Sequence, residues 1–599
     1  MDSEFHVKEL KTFPERAGRW SGVRDTTRFQ PSCPHMHRTL RRVVGNEDCL
    51  YMNVYTPSVD PGNGFNLISY PVLVFIHGPD YTTGSGNIYG AERLVEKGNV
   101  VVTFNYRLGS LGFLSTADNE SPGNYGLHDQ NLALKWVKRN INQFQGDPNN
   151  IALAGQGAGA AMVSMHMISP LSKGLFLRAI TESGNALCSW AVDEKPRITS
   201  ADNAQKLGRL LSCGSGYIET SFLVRCLKNR LVTDLIENQE KLKGFGTFPG
   251  IWKPVVDSKQ NNKSKVFLQD TPRMLMARGD ITGRDLITGV NKDEGSMLYY
   301  CETSTLQPQV EAVEETLTVS RAISSAKLKR ISLSPSFRIP LLVKLNFFQY
   351  FLDLLRYMPN IAVDSFYLEN NLLPNFLGNL TQLYGNAVVR QVYTKYFANV
   401  NSRQSAEVIK AFTKMATDAL FVGCNDEWAR THSRSSVFTP NDALGSTNTY
   451  MYVFTYDGEN SFVEKEADAI GAGISKLFET VQFTDGEYKP WLRLTPSSNS
   501  YYEIGRDLND MSSYRLVESQ MWSDELPKLS TFRPTTPFPT NLPATVSRLQ
   551  GEQSQPYKTA TWAMLAIIIA LIILCIFLCC LLISSKRKRE FKAEPDVYH

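Results

Sequence analysis

Three glycines fall within five residues, Gly155-Gln156-Gly157-Ala158-Gly159, directly after the apolar run Ile151-Ala-Leu-Ala154. That spacing predicts a strand, a sharp turn and a helix over 158–168. Glycine reaches the strained dihedrals of such a turn without a Cβ clash. Other runs extend the pattern. Pro71-Val-Leu-Val-Phe-Ile76 and Val100-Val-Val-Thr-Phe104 are continuous and rich in β-branched residues, as strands covered on both faces are. Residues 178–181, 286–290 and 449–455 read as further strands. Residues 126–144 carry Leu127, Leu132, Leu134, Trp136, Val137, Ile141 and Phe144 at helical spacing. Strands alternating with helices predict an α/β fold: a mostly parallel central sheet with helices on both faces.

Near the C-terminus, Trp562 to Ile583 is 22 residues without a charge. A helix crossing a bilayer core needs about 20 such residues. Lys586-Arg587-Lys588-Arg589 and Lys592 follow it, whereas only Arg548 and Lys558 precede it within 20 residues. The excess of basic residues places the C-terminus in the cytoplasm and the bulk of the chain outside, as a single-pass type I plasma-membrane protein. Four regions are expected: a globular ectodomain over 1–523, a Pro/Thr-rich stalk over 524–560, the span over 561–583, and a short tail over 584–599. The stalk is rich in Pro and Thr at 531–540, poor in aliphatic residues, and reads as extended. Net charge is only +4, so no general nucleic-acid surface is indicated. There is no repeat, no C-x-x-C and no H-E-x-x-H, and nothing calls for a metal or a cofactor.

Cysteine spacing fits an extracellular location. Cys33 and Cys49 are 16 apart, and Cys213 and Cys226 are 13 apart. A disulfide closing such a loop contributes about 3 kcal/mol in the chain-entropy account; free buried thiols are the alternative. Cys188, Cys301 and Cys424 have no assigned role. Cys575, Cys579 and Cys580 lie in the apolar segment as palmitoylation candidates or as apolar filler. Glycosylation triplets occur at Asn119, Asn262 and Asn379, the first weakened by Pro122. The N-terminus, Met1-Asp-Ser-Glu-Phe-His, has no apolar signal core. The expectation is an incomplete chain, or an isoform starting downstream of its signal. A tail-anchored protein facing the cytosol is the alternative, and it would forbid the disulfides.

Several stretches carry a family resemblance: Glu47-Asp-Cys-Leu-Tyr-Met-Asn-Val-Tyr-Thr-Pro57, Asn105-Tyr-Arg-Leu-Gly-Ser-Leu-Gly-Phe-Leu114 and Gly123-Asn-Tyr-Gly-Leu-His-Asp-Gln-Asn-Leu-Ala-Leu134. Gly146-Asp-Pro-Asn-Asn-Ile151 and Asn291-Lys-Asp-Glu-Gly295 add to them. Over about residues 12–523 the chain resembles the cholinesterase/carboxylesterase branch of the α/β hydrolases. The resemblance implies the α/β-hydrolase fold, an N-terminal β-segment beyond what is present here, and loop disulfides Cys33–Cys49 and Cys213–Cys226.

A hydrolase of this type needs a nucleophile, a base, an acid to orient the base, and an oxyanion hole. By resemblance, Gly157 holds the nucleophile position and has no side chain. Glu294 holds the acid position. The base should be a histidine, but the matching stretch Ile470 to Phe478 puts Ile470 there. After Glu294 only His432 and His599 remain, neither in the expected segment. The oxyanion loop, normally H-G-G-G, reads His77-Gly78-Pro79-Asp80. Proline has no N–H to donate, and Asp80 brings negative charge to a place meant for an anion. Removing one such donor costs about 10²–10³ in rate. Glu294 then reads as an inherited hydrogen-bonding carboxylate, and His77 and His128 as packing residues. A choline-type site would use a tryptophan in the Cys33–Cys49 loop, which has none. Arg38, Arg41 and Arg42 in that loop make a basic surface patch or a solvated face.

Non-catalytic, membrane-anchored members of the family resemble neuroligins and insect gliotactin-like proteins, which are adhesion receptors. The expected function is therefore a pseudoenzyme acting in cell adhesion or as a receptor. Its partner is an extracellular protein on an opposing cell, neurexin-like by resemblance, and homodimerisation through helices near the end of the ectodomain is part of the same resemblance. The tail departs from neuroligins: it ends Asp596-Val-Tyr-His599, without the apolar last residue of a PDZ ligand. The alternatives are a membrane-anchored carboxylesterase with residual or altered activity, and a binding protein that keeps the gorge as a ligand pocket.

Overall fold

The computed structural model describes residues 13–18, 21–37, 40–57, 69–242, 250–279, 281, 285–296, 386–401, 405–435, 448–455, 493–495, 498–504 and 508–526. They belong to the first of two compact units, Met1–Thr531; the second, Phe532–His599, lies outside the described residues.

A small ribbon of β1 (His35–Met36) and β2 (Val43–Val44) comes first. The main strands are β3 (Met52–Tyr55), β4 (Tyr70–Ile76), β5 (Val100–Phe104), β6 (Gly146–Gln156), β7 (Arg178–Glu182), β8 (Asp285–Asn291), β9 (Asn448–Phe454), β10 (Ser500–Ile504) and β11 (Leu508–Ser512). Their spatial order is β11-β10-β9-β8-β7-β6-β4-β5-β3. The strands from β5 to β10 pair in parallel, and β3 and β11 close the two edges antiparallel. The mostly parallel sheet is the one expected from the apolar runs. All of β5 is buried, as its unbroken Val-Val-Val-Thr-Phe requires.

The helices of the first half are α1 (Glu92–Glu96), α2 (Gly109–Phe113), α3 (Tyr125–Asn140), α4 (Ala158–Ile168), α5 (Ser200–Leu210), α6 (Thr220–Lys228), α7 (Val232–Glu240) and α8 (Pro272–Ala277). Later come α9 (Asn386–Phe397), α10 (Ser405–Thr417), α11 (Gly423–Ser435) and α12 (Leu516–Gln520). Along β4 the side chains alternate. Val72, Val74 and Ile76 join the main core with Met162, Leu286 and Val453, while Leu73 and Phe75 meet Tyr89 and Ile180 on the opposite face. Every residue of α4 is buried, and its two polar side chains, Ser164 and His166, are hydrogen-bonded inside the protein.

Two boundaries differ from expectation. The helix expected over 126–144 ends at Asn140 and continues as a 3-10 turn over Ile141–Phe144. Gln145 then turns left-handed, at φ 63°. β6 begins at Gly146 rather than 151, because Gly146 already pairs with Tyr70 before the register shifts to Val72 with Ile151. The last described residues of the unit are packed as well. Met521, Trp522 and Leu526 are buried with Phe412 and Met415 of α10 in a second core, so packed structure runs to at least 526. Asp418 anchors that end. Its carboxylate takes Nη1 of Arg515 at 2.6 Å and the Tyr396 hydroxyl at 2.9 Å, and Trp522 Nε1 donates to that hydroxyl at 3.0 Å.

Three disulfides join described residues: Cys33–Cys49, Cys213–Cys226 and Cys188–Cys424. The last pairs two cysteines left unassigned by the sequence, 236 residues apart. It fixes the segment after β7 to the start of α11, and Trp190 Nε1 adds a hydrogen bond to Leu420 O at 2.9 Å. No helix among the described residues is long and apolar enough to cross a membrane. The expected span over 561–583, the tail over 584–599, the stalk beyond 526, Cys301 and the cysteines of the apolar segment lie outside the described residues.

Candidate functional site

β4 and β6 are neighbours, yet the chain leaves β4 for β5 on one side before returning to β6 on the other. Such a reversal opens a crevice at the carboxyl ends of the two strands, where open α/β sheets place ligands. The loop after β4, carrying Gly78, Pro79 and Asp80, meets the Gly157 turn after β6 at that point.

At that point the two turns meet backbone to backbone. Gly157 stands at φ 57° and ψ −119°, just before α4. L-residues occupy this region only under strain of about 1–3 kcal/mol. A Cβ at Gly157 would lie 2.8 Å from the carbonyl oxygen of Pro79. The same oxygen accepts the Ala158 N–H at 3.1 Å. The Gly157 N–H donates to Glu182 O at 2.8 Å, tying the turn to β7. The flanking glycines have no room either: a Cβ at Gly78 would sit 2.4 Å from Gln156 O, and one at Gly159 2.1 Å from Ile76 O. The Gly78–Pro79 peptide is cis. In a hydrolase elbow, the N–H after the nucleophile helps to form the oxyanion hole. Here it is taken by Pro79. Position 157 thus offers no nucleophile, and its neighbour has no free donor.

The remaining candidate residues are placed as follows. Asp80 does not present its charge to the turn. It is buried, and Oδ1 accepts the N–H groups of Thr82 and Thr83, at 2.9 and 2.7 Å, and the Thr83 hydroxyl at 2.9 Å. Glu294 Oε1 accepts the Asn291 N–H at 2.8 Å. Burial raises its pKa, against the opposing effect of hydrogen bonds from Asn291 and Ser183. His77 stacks on Tyr106 at 4.3 Å and donates from Nδ1 to Gly78 O at 3.1 Å. Burial pushes its pKa down to about 4, so it is neutral at pH 7. His432, on α11, shares a 2.7 Å hydrogen bond with Thr449 near the start of β9. That is the amino end of the sheet, opposite the Gly157 turn. Ile470 lies outside the described residues, as do Asn379 and Arg38. Asn119 and Asn262 are exposed on adjoining loops, and Asn119 Oδ1 accepts the Asn261 N–H at 2.8 Å. Among the described residues, no group of three His, Cys, Asp or Glu could hold a metal ion.

One acid was missed from the sequence. Glu182 ends β7 beside the turn, is 3% exposed, and has its pKa pushed up to about 8 by burial. It also helps hold the pKa of Tyr89 and Tyr452 up, and Glu294 acts on Tyr452 too. An acid directly after the strand reading over 178–181 was the available signal. Because its folded pKa lies above the ordinary 4.5, its stability contribution is complete below about pH 4.5 and is lost as pH rises through about 8. Glu182→Gln is therefore expected to match the wild type at pH 5 and to exceed it increasingly up to pH 8. The upper limit is about 1.4 kcal/mol per pH unit. Denaturation midpoints of both proteins across that range measure it; parallel curves would show that Glu182 is not buried in its neutral form.

Residues 12–489 match the Carboxylesterase family. Mouse (Mus musculus) neuroligin-3 is 37% identical over 320 residues, covering 47% of this chain and 37% of the relative. Cattle (Bos taurus) bile salt-activated lipase is 36% identical over 318 residues, 50% of each chain. Mouse neuroligin-2 is 35% identical over 319 residues, 47% of this chain and 36% of the relative. The chain thus spans about a third to a half of the length of the curated relatives it matches.

Proposed function

Because the chain belongs to the carboxylesterase family, we propose that it is a non-catalytic member, displayed on the cell surface for adhesion or as a receptor. Its partner in this reading is a protein on an opposing cell, neurexin-like in kind, and the chain acts as a homodimer. Residues 561–583 cross the plasma membrane once, with the ectodomain outside and 584–599 in the cytoplasm. The observation that carries the reading is the Pro79 carbonyl, which holds the Ala158 N–H and leaves no room for a side chain at Gly157. Three disulfides support an oxidising compartment. N-glycans are proposed at Asn119 and Asn262, both exposed.

The similarity to bile salt-activated lipase favours a second reading, a membrane-anchored carboxylesterase with residual or altered activity. The closed turn and Gly157 argue against it. The adhesion reading is tested by displaying the full chain on cells and mixing them with a panel of other cell types. Clustering with one type, abolished by soluble competitor, is expected. Indifference to the whole panel would overturn the adhesive role, and a gel mobility unchanged by deglycosylation would overturn the glycans.

A further inference from the structure

We infer that the exposed side of the α5–α6 hairpin is a docking surface for an acidic protein segment that carries apolar side chains. This deepens the proposed adhesive role and takes from it only that the occupant is a protein.

The hairpin is rigid before anything binds. The Cys213–Cys226 disulfide ties the loop that follows α5 to α6. Beneath the connecting loop, Gln205 exchanges two hydrogen bonds with the backbone of Ile218, at 2.6 and 2.8 Å. On this frame Tyr217 is 80% exposed, Phe222 46% and Leu210 42%. Two arginines are held among them: Arg209 donates to Gly216 O at 3.1 Å, and the Arg225 guanidinium lies 5.6 Å from the Phe222 ring centroid. Single exposed apolar residues need no explanation. Tyrosine, phenylalanine and arginine on one rigid element are the residue types enriched at the centres of protein interfaces. Pre-organisation lowers the ordering cost of binding there.

Charge selects the occupant. Residues 200–230 hold Lys206, Arg209, Arg225, Lys228 and Arg230 against two acids, Asp202 and Glu219. Their net charge is +3, most of the whole chain's +4. The Glu219 carboxylate is engaged at the start of α6, accepting the N–H groups of Ser221 and Phe222 at 3.1 and 2.9 Å. Lys206 pairs with Asp202; Arg209, Arg225, Lys228 and Arg230 form no salt bridge among the described residues, although the Arg225 charge acts on Glu219. A complementary partner is acidic. A polyanion without apolar groups would satisfy the arginines and leave Tyr217 and Phe222 in water, so a protein segment fits better than a sulfated glycan.

The probes are a glutamate–tyrosine copolymer, poly-glutamate and heparin, each titrated onto the full chain displayed on cells. We expect the copolymer to bind at least tenfold tighter than poly-glutamate. The pairs Tyr217→Ala/Phe222→Ala and Arg209→Glu/Arg225→Glu should each weaken it at least tenfold, while Val23→Ala/Arg139→Glu, exposed elsewhere, leaves it unchanged. Surface display and thermal melting of each variant separate lost binding from lost folding. If heparin binds as tightly and Tyr217→Ala/Phe222→Ala has no effect, the surface is a glycan site and the inference fails. Equal binding by patch and control variants also overturns it. Should patch variants still cluster with the partner cells, adhesion stands and this surface falls. Should wild-type cells cluster with nothing while copolymer binding follows the patch, the surface stands and the adhesive reading falls.

Discussion

Asp129→Ala is expected to remove about 3–5 kcal/mol of folding stability. Arg107 and Asp129 form a two-pronged pair, Nε to Oδ2 at 2.8 Å and Nη2 to Oδ1 at 2.6 Å, with side chains 3% and 1% exposed. The Arg107 N–H also donates to Asp129 Oδ2, at 3.1 Å. The carboxylate thus binds the segment after β5 to the first turns of α3. Truncating it takes the two-pronged carboxylate away from a guanidinium that is 3% exposed, and the lost charge compensation away from water is the source of the loss. Replacing both members with apolar residues, as in Arg107→Met/Asp129→Leu, should cost much less, because no buried charge remains. Denaturant unfolding of the three proteins measures the difference. A loss under 1 kcal/mol for Asp129→Ala would show that the pair is not dry.

Gly157→Ser should cost about 2–5 kcal/mol and yield no esterase. Part of the loss is the φ of 57°, which serine adopts under strain. The rest comes from the new Cβ, 2.8 Å from Pro79 O, a contact that one of the two backbones must relieve. Chemistry is not restored, because the Ala158 N–H already has its acceptor and no histidine among the described residues faces the turn with a basic ring. Adding Pro79→Gly lets the 78–80 backbone withdraw its carbonyl, so the double variant should recover part of the stability. That coupling separates the contact from the strain. A serine variant as stable as the wild type would contradict the close approach.

These sites were legible in the sequence to different degrees. The strands β4 and β5 could be read because buried parallel strands are continuous apolar runs, and β7, β8 and β9 from shorter, interrupted apolar stretches. The early start of β6 could not, since Gly146-Asp-Pro-Asn-Asn carries turn chemistry, and only pairing with Tyr70 draws Gly146 into the sheet. Gly157 was legible because its frame of glycines is a local pattern. The plug at Ala158 was not. It is made by the carbonyl of Pro79, a backbone atom whose direction depends on the path of a loop far earlier in the chain. Proline in that loop announced a missing donor, while the acceptor it supplies became visible only in three dimensions. Asp80 looked like a charge in the wrong place because its own turn amides, at Thr82 and Thr83, cannot be seen in composition. Cys188 and Cys424 stayed unpaired on paper because 236 residues separate them and the equally unassigned Cys301 leaves their connectivity open. Glu182 was passed over as the end of a strand, although burial makes it an uncommon acid.

The claim at the centre is that the crevice between β4 and β6 is closed to hydrolytic chemistry by the chain's own backbone. Hydrolysis of a short-chain nitrophenyl ester by the purified full-length protein, with labelling by a fluorophosphonate that traps activated serines, tests it most directly. The expected result is turnover equal to a heat-denatured control and no label incorporated. Turnover above that control that disappears in Glu294→Ala would contradict the account.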